Sequence, residues 1–223
     1  MHKEILTPEQ VRLLPLLKAV SKRFGLVGGT AVALHLGHRR SIDFDLFSHE
    51  PFDNNALTRV VKLIAKITKT IVKHTGEYTF MRGEVKVTFY HYPYVLPYKD
   101  HFNHLIKIPD VLTLAAMKAF ALGKRAKWKD YVDLYFIMLD VAPSADILQR
   151  VTGLFGNEFN EKLFRVHLSY FDDINYSERV EFLPDGPPGL PWREEYLDAA
   201  RRGGAIAILT PHPRDFEDLE TGG

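Results

Sequence analysis

Leu26-Val27-Gly28-Gly29-Thr30-Ala31, followed by Ser41-Ile42-Asp43-Phe44-Asp45-Leu46-Phe47, is the most chemically specific part of this 223-residue chain. Residues 25–27 read as a short strand running into two glycines, and the small residues after them predict a helix over 30–36, closed by Gly37. Residues 41–47 alternate polar with apolar, as a strand with one buried face does. Side chains two apart on a strand point the same way, so Asp43 and Asp45 share a face while Ile42, Phe44 and Leu46 go to the core. Neighbouring carboxylates repel unless a cation lies between them. A hard divalent ion with oxygen ligands, Mg²⁺ above others, removes that repulsion and can bridge nucleotide phosphates. Glycines at a helix start let backbone N–H groups approach phosphate oxygens, so Gly28 and Gly29 are a candidate phosphate cradle. Thr30 either caps the helix or offers its hydroxyl to the same phosphates. Arg39 and Arg40, just ahead of the strand, can meet an anionic substrate or pair with Asp43.

Outward from this core, Thr7-Pro8-Glu9-Gln10 reads as a helix start, with Thr7 as the cap. An apolar stripe then runs to residue 24, kinked or broken at Pro15. A helix is expected over 53–69, and β-branched and aromatic runs at 70–75, 77–81 and 84–92 predict consecutive strands. Residues 92–103, with two prolines and four aromatics, read as a loop. Helices follow over 110–122, 129–139, 144–154 and 158–168. Residues 182–192 are rich in Pro and Gly and read as irregular. A last short helix is expected near 193–202, and the acidic, glycine-tipped end as frayed. This organisation suggests a core over 1–108, a helical region completing the site over 109–205, and a tail over 206–223.

A second group of charged residues lies in the helical half. Lys118 stands in an almost wholly apolar helix, where a half-buried ammonium wants a phosphate or a carboxylate. In the next helix Asp130 and Asp133 share one face. Spacing alone leaves open a buried structural bridge from Asp133 to Lys118 or Lys129, with Asp130 as a helix N-terminal carboxylate. Between the two helices Lys124, Arg125, Lys127 and Lys129 surround Trp128. Such a run is either a solvated linker or a contact for an RNA backbone or a triphosphate, with Trp128 free to stack.

Composition narrows the classes. Formal net charge is +1, so any nucleic-acid surface has to come from local clustering. With no cysteine there are no disulfides, thiolate metal sites or cysteine nucleophiles. The N-terminus shows no secretory apolar region and no apolar run reaches membrane-spanning length, so a soluble cytoplasmic protein is expected, with no membrane partner. The ten histidines form no obvious metal-binding pattern.

The stretches 26–31 and 38–47 resemble the AbiEii/AbiGii-type nucleotidyltransferases, toxins of bacterial toxin–antitoxin and abortive-infection systems within the DNA polymerase β-like superfamily. Lys118 and the run Lys129-Asp130-Tyr131-Val132-Asp133-Leu134-Tyr135 resemble the family's second signature. The resemblance covers roughly residues 10–140. It implies an α+β fold: a polymerase β-like core, a mixed β-sheet flanked by helices, with a helical C-terminal region. It implies Mg²⁺-dependent transfer of a nucleotidyl group from an NTP to an acceptor, the 3′ end of tRNA for several relatives, and a cognate antitoxin protein. Asp43 and Asp45 would hold the metal, and Lys118 would stabilise charge on the phosphoryl groups. Gly28, Gly29, Thr30, Arg40, Ser41, Lys129, Asp130 and Asp133 would hold the nucleotide. Many enzymes of the superfamily carry a third carboxylate on a later strand; here Lys86 or Thr88 holds that place, and Glu84 is the only nearby acid. Two other readings therefore stay open: a nucleotide- or RNA-binding protein without turnover, and a transferase acting on a small molecule or a protein hydroxyl.

Overall fold

The computed structural model describes residues 1–122, 124–169 and 174–183. The helix expected near 193–202, the tail over 206–223 and most of the irregular segment 182–192 lie outside the described residues. The described residues divide into two compact units, one formed by residues 1–114 with 181–183 and the other by described residues between 115 and 180.

The first unit opens with the expected cap. The Thr7 hydroxyl accepts the Gln10 amide at 3.2 Å and the Gln10 side chain accepts the Thr7 amide at 3.0 Å, starting α1 (Pro8–Val11). The chain then breaks at residues 12–13, and α2 (Leu14–Val20) begins with Pro15 in its first turn, where a missing N–H costs nothing. Pro15 therefore starts a second helix rather than kinking one. There follow β1 (Gly25–Val27), α3 (Gly28–Leu36), β2 (Phe44–Ser48) and α4 (Asn54–Ile64), which stops five residues short of the expected end. The three consecutive strands come out as β3 (Lys69–His74), β4 (Glu77–Arg82) and β5 (Val85–His91), close to expectation.

The sheet runs β1-β2-β5-β4-β3. β2 and β5 are parallel, in the register Phe44↔Val87, Asp45↔Thr88 and Phe47↔Tyr90, and the other pairs are antiparallel. The sheet is thus mixed, and the chain is α+β. One face is apolar, with Leu26, Phe44, Leu46, Phe80, Val87 and Phe89 buried. The other face carries the half-exposed side chains of β2 and β5.

Three details depart from the sequence reading. β2 begins at Phe44, so Ile42 and Asp43 precede it, and Ile42 is 40 % exposed rather than in the core. α3 begins at Gly28 with Val27 as its cap residue, so Thr30 lies inside the first turn. The segment read as a loop over 92–103 ends in β6 (Asp100–Phe102), which pairs with β7 (Ile106–Ile108). Asn103 and His104 both take left-handed φ values, 48° and 56°, and turn that hairpin.

In the second unit lie most of α5 (Val111–Leu122), then α6 (Trp128–Asp140), α7 (Ser144–Phe155), a 3₁₀ turn at Gly156–Glu158 and α8 (Glu161–Ser169). Leu134, Ile137, Ile147, Val151 and Phe164 are buried, and Phe120 stacks on Phe155 with centroids 4.0 Å apart.

Candidate active site

Each unit holds one of the two charged groups. In the first, β1 delivers the chain into Gly28, whose φ of +72° is a conformation that glycine adopts without strain. Val27 pairs with Asp45 across β1 and β2, and a Cβ on Gly28 would collide with Asp45 Oδ2. The glycine thus brings backbone against the carboxylate. Gly29 is equally constrained, since a Cβ there would lie 2.6 Å from Arg39 Nη2 and 3.1 Å from Ser41 Oγ.

Thr30 is 1 % exposed, and its hydroxyl is spent inside the protein. It bonds the Asp43 carbonyl and lies 3.0 Å from Ser41 Oγ and 3.2 Å from the Ser41 carbonyl. Gln10 adds a bond from Nε2 to the Ser41 carbonyl at 2.9 Å. These bonds hold residues 41–43 in a loop and account for the late start of β2. The expected cap or phosphate contact from Thr30 is replaced by this role.

Asp43 and Asp45 are half-buried on one side of the sheet. Asp43 has a strong partner: Lys86 Nζ lies 2.9 Å from Oδ2, and the Lys86 amide donates to Oδ1 at 3.3 Å. Thr88, on the same face of β5, stands opposite Asp45. Glu84 precedes β5, and its amide bonds the Glu9 carboxylate at 3.3 Å. An ammonium and a hydroxyl therefore occupy the sheet positions beside the two aspartates. Among the described residues, no three His, Cys, Asp or Glu side chains gather as a metal site. The pair still suits Mg²⁺, which commonly takes one or two carboxylates and completes its shell with water and substrate phosphate.

The two arginines separate. Arg39 is 1 % exposed, donates from Nη1 to the Arg40 carbonyl at 2.9 Å and brings Nη2 against Gly29. Arg40, the one expected to bind nucleotide, turns away to Glu181, with Nε 2.8 Å from the carboxylate. The Arg-Arg pair was visible in the sequence, but which member turns inward depends on residues 181–183 pairing back along 38–40.

In the second unit, Lys118 is 8 % exposed and lies 2.5 Å from Asp130 Oδ1 and 2.7 Å from Asp133 Oδ2. Arg125 Nε approaches the other Asp130 oxygen at 3.3 Å. The ammonium that wanted an anion has found two carboxylates. The basic linker is also engaged. Lys127 and Lys129 lie 2.5 and 3.3 Å from the Glu178 carboxylate, Trp128 packs on Tyr176, and Lys124 sits over the Phe120 ring. The two lysines, Lys127 foremost, hold the Glu178 carboxyl far below its usual range, at about 2. Lys129, expected at nucleotide, and Trp128, left open between solvent and RNA, thus contact the chain's own 175–178 segment.

Residues 16–202 match the family described as nucleotidyl transferase AbiEii toxin, type IV TA system. An uncharacterised protein of Aquifex aeolicus, aq_aa25, is 29 % identical over 178 residues, spanning 78 % of this chain and 84 % of the relative. MenT4, a nucleotidyltransferase toxin of Mycobacterium tuberculosis, superposes with a TM-score of 0.50 at 15 % identity, covering 93 % of this chain and 85 % of MenT4. JHP933 from Helicobacter pylori gives 0.50 at 14 % identity, covering 95 % and 93 %. At such identities the structural likeness is one of fold. The family match spans most of the chain and includes both charged groups: the protein belongs to the AbiEii nucleotidyltransferase toxin family and is a transferase by descent.

Proposed function

We propose that the protein moves a nucleotidyl group from an NTP to the 3′-hydroxyl of an RNA, tRNA foremost, as the toxin of a type IV toxin–antitoxin pair. The observation that carries this reading is the pair Asp43 and Asp45 on one half-exposed face, with the Gly28 backbone pressed against Asp45. In such a transfer the acceptor oxygen bonds to the α-phosphorus, the bond to the β-phosphate oxygen breaks, pyrophosphate leaves and the hydroxyl proton is released. Positioning and charge stabilisation dominate the catalysis. Mg²⁺ held by Asp43 and Asp45 would supply Lewis acidity towards the phosphoryl oxygens. The backbone of Gly28 and Gly29 would receive phosphate at the start of α3, with Arg39 behind it and Ser41 beside it. By resemblance to the family, Lys118, Asp130, Asp133 and Lys129 would take part in nucleotide binding, with Arg40 only indirectly involved.

Family membership also implies a cognate antitoxin as partner. No helix among the described residues is long and apolar enough to cross a membrane.

Lys86 beside Asp43 and Thr88 beside Asp45, where an acid would help activate the acceptor, favour a second reading: nucleotide or RNA binding without turnover. One experiment separates the two. Purified protein is incubated with each labelled NTP, Mg²⁺ and total tRNA, alongside Asp45→Asn. Label entering RNA with wild type and absent with the variant supports the transferase. Label on a protein or small molecule changes the acceptor. NTP binding with no label anywhere supports the second reading.

A further inference from the structure

The sheet face that carries Asp43 and Asp45 continues beyond them into an aromatic surface. Phe47 follows Asp45 on the same face of β2, about 7 Å along the strand at the usual rise per residue. Opposite it on β5 stands Tyr90, which is 37 % exposed. Phe47 contacts the Tyr90 ring at 5.3 Å and the Tyr92 ring at 5.0 Å, and Tyr92 contacts Tyr94 at 5.2 Å. Gly25, paired with Phe47 across β1, leaves room that the Tyr98 ring fills, and Tyr98 bonds the Phe47 carbonyl at 3.3 Å.

Phe47, Tyr92, Tyr94 and Tyr98 border a cleft of about 210 Å³ that is also lined by Lys22, Arg23 and Lys107 against a single acid, Glu50. Lys107 lies over the Tyr98 ring at 4.8 Å, and Arg23 donates to the Pro51 carbonyl. Among the described residues, none of these three cations is paired with a carboxylate. In the basic linker before α6, by contrast, Lys127 and Lys129 share the Glu178 carboxylate and Arg125 approaches Asp130. Three cations without a carboxylate partner thus line the aromatic cleft, although nothing in the spacing of Lys22, Arg23 and Lys107 along the chain suggests it.

Half-exposed aromatic faces ringed by cations suit a ligand that alternates flat bases with phosphates. A cleft this small admits unstacked bases and excludes a duplex, whose bases are already paired. The ends of the site are also distinct. Gly29 approaches Arg39 and Ser41, on the Asp43 side of Asp45, whereas Phe47 lies on the other side. An NTP whose phosphates sit at the glycines thus leaves the aromatic end for the second substrate.

We propose that the cleft of Phe47, Tyr92, Tyr94, Lys22, Arg23 and Lys107 binds a single-stranded polynucleotide and is where the acceptor strand stacks. The word acceptor rests on the transferase reading; the binding itself does not.

The test is fluorescence anisotropy with the full chain and a labelled ten-nucleotide oligoadenylate RNA, compared with an abasic oligomer of the same length. Wild type is expected to bind the base-bearing strand more tightly. Tyr92→Ala/Tyr94→Ala, with folding checked by circular dichroism, is expected to weaken that binding about tenfold or more while leaving the abasic strand unaffected. Tyr92→Phe/Tyr94→Phe keeps the rings and should retain most of the affinity, and Lys22→Ala/Arg23→Ala should weaken both oligomers. Equal affinity for the two oligomers in wild type, or no loss in the folded alanine variant, would overturn the proposal. So would a loss of NTP binding instead of RNA binding. Ring-dependent RNA binding without nucleotidyl transfer would leave the cleft standing and remove the transferase reading; transfer to RNA with binding indifferent to both tyrosines would do the reverse.

Discussion

Lys118 shows how far a single residue can be read. An ammonium in an apolar helix announces a buried anion, and the sequence offered both a phosphate and a carboxylate. The structure supplies two carboxylates at hydrogen-bond distance, and both aspartates are almost fully buried. Replacing the lysine leaves two buried acids facing each other, which costs far more than the intact cluster contributes. Lys118→Met is expected to lose about 3–5 kcal/mol in urea denaturation. Adding Asp130→Asn and Asp133→Asn should recover a large part of that loss. No loss in the single variant would mean that the cluster is not buried in solution. NTP affinity measured on the stable triple variant then reports any direct role in binding. Lys86 was legible only as a residue standing where an acid was expected. That its ammonium reaches Asp43 depends on which strand lies beside β2, and neither residue announces it.

Elements were easiest to read where the chain's own spacing fixes them. The capped start of α1, the Gly28-Gly29 turn and the punctuated strands β3, β4 and β5 all follow from local residues. The β6–β7 hairpin was missed because its short strands hide at the end of a proline- and aromatic-rich stretch, although Asn103 was a usable turn signal. The start of β2 was missed because side chains from α1 and α3, Gln10 and Thr30, bind the loop before it. At the turn itself, Gly28→Ala puts a side chain at φ +72° and drives a Cβ into the Asp45 carboxylate. The expected cost is about 1–3 kcal/mol, visible as a lower melting temperature, together with weaker Mn²⁺ binding as Asp45 is displaced. An unchanged melting temperature would contradict the turn geometry.

The 175–178 segment offers a second test at this scale. The Asn175 amide bonds the Ala126 carbonyl at 2.7 Å and Glu178 joins Lys127 and Lys129, so the strap is tied by backbone and charge. Glu178 has its carboxyl at about 2 in the fold against an ordinary 4.5. A lowered carboxyl stabilises the fold fully above its unfolded value and loses that contribution as pH falls towards the folded one. The difference in denaturation midpoint between wild type and Glu178→Gln should therefore hold steady from pH 7 to about 5 and shrink by about pH 3. A difference that grows on acidification would contradict the assignment.

For the whole molecule, charge decides how a polynucleotide can be held. The chain is nearly neutral, at +1, so no broad field gathers nucleic acid. Three lining cations set a ceiling on the phosphates engaged by the cleft. The logarithm of RNA affinity should fall with the logarithm of salt with a slope of about −2 or shallower. A much steeper slope would mean a larger basic surface elsewhere. The sheet order that creates this face could not be read from the chain, because the β2–β5 pairing joins strands some forty residues apart and skips two that lie between them.

That pairing has a consequence for how the site could change over time. Because β2 and β5 run parallel in the register Asp45↔Thr88, the backbone presents a Cβ beside Asp45, and on the transferase reading proposed above a third acid would stand there. On that reading a single side chain separates the pair from a three-acid centre. A lineage carrying this fold could raise or lower its chemical power by exchanging one residue at position 88, with no strand rebuilt and no loop lengthened. Potency would then be adjustable while the architecture stays fixed, a useful property in a protein whose host must survive making it.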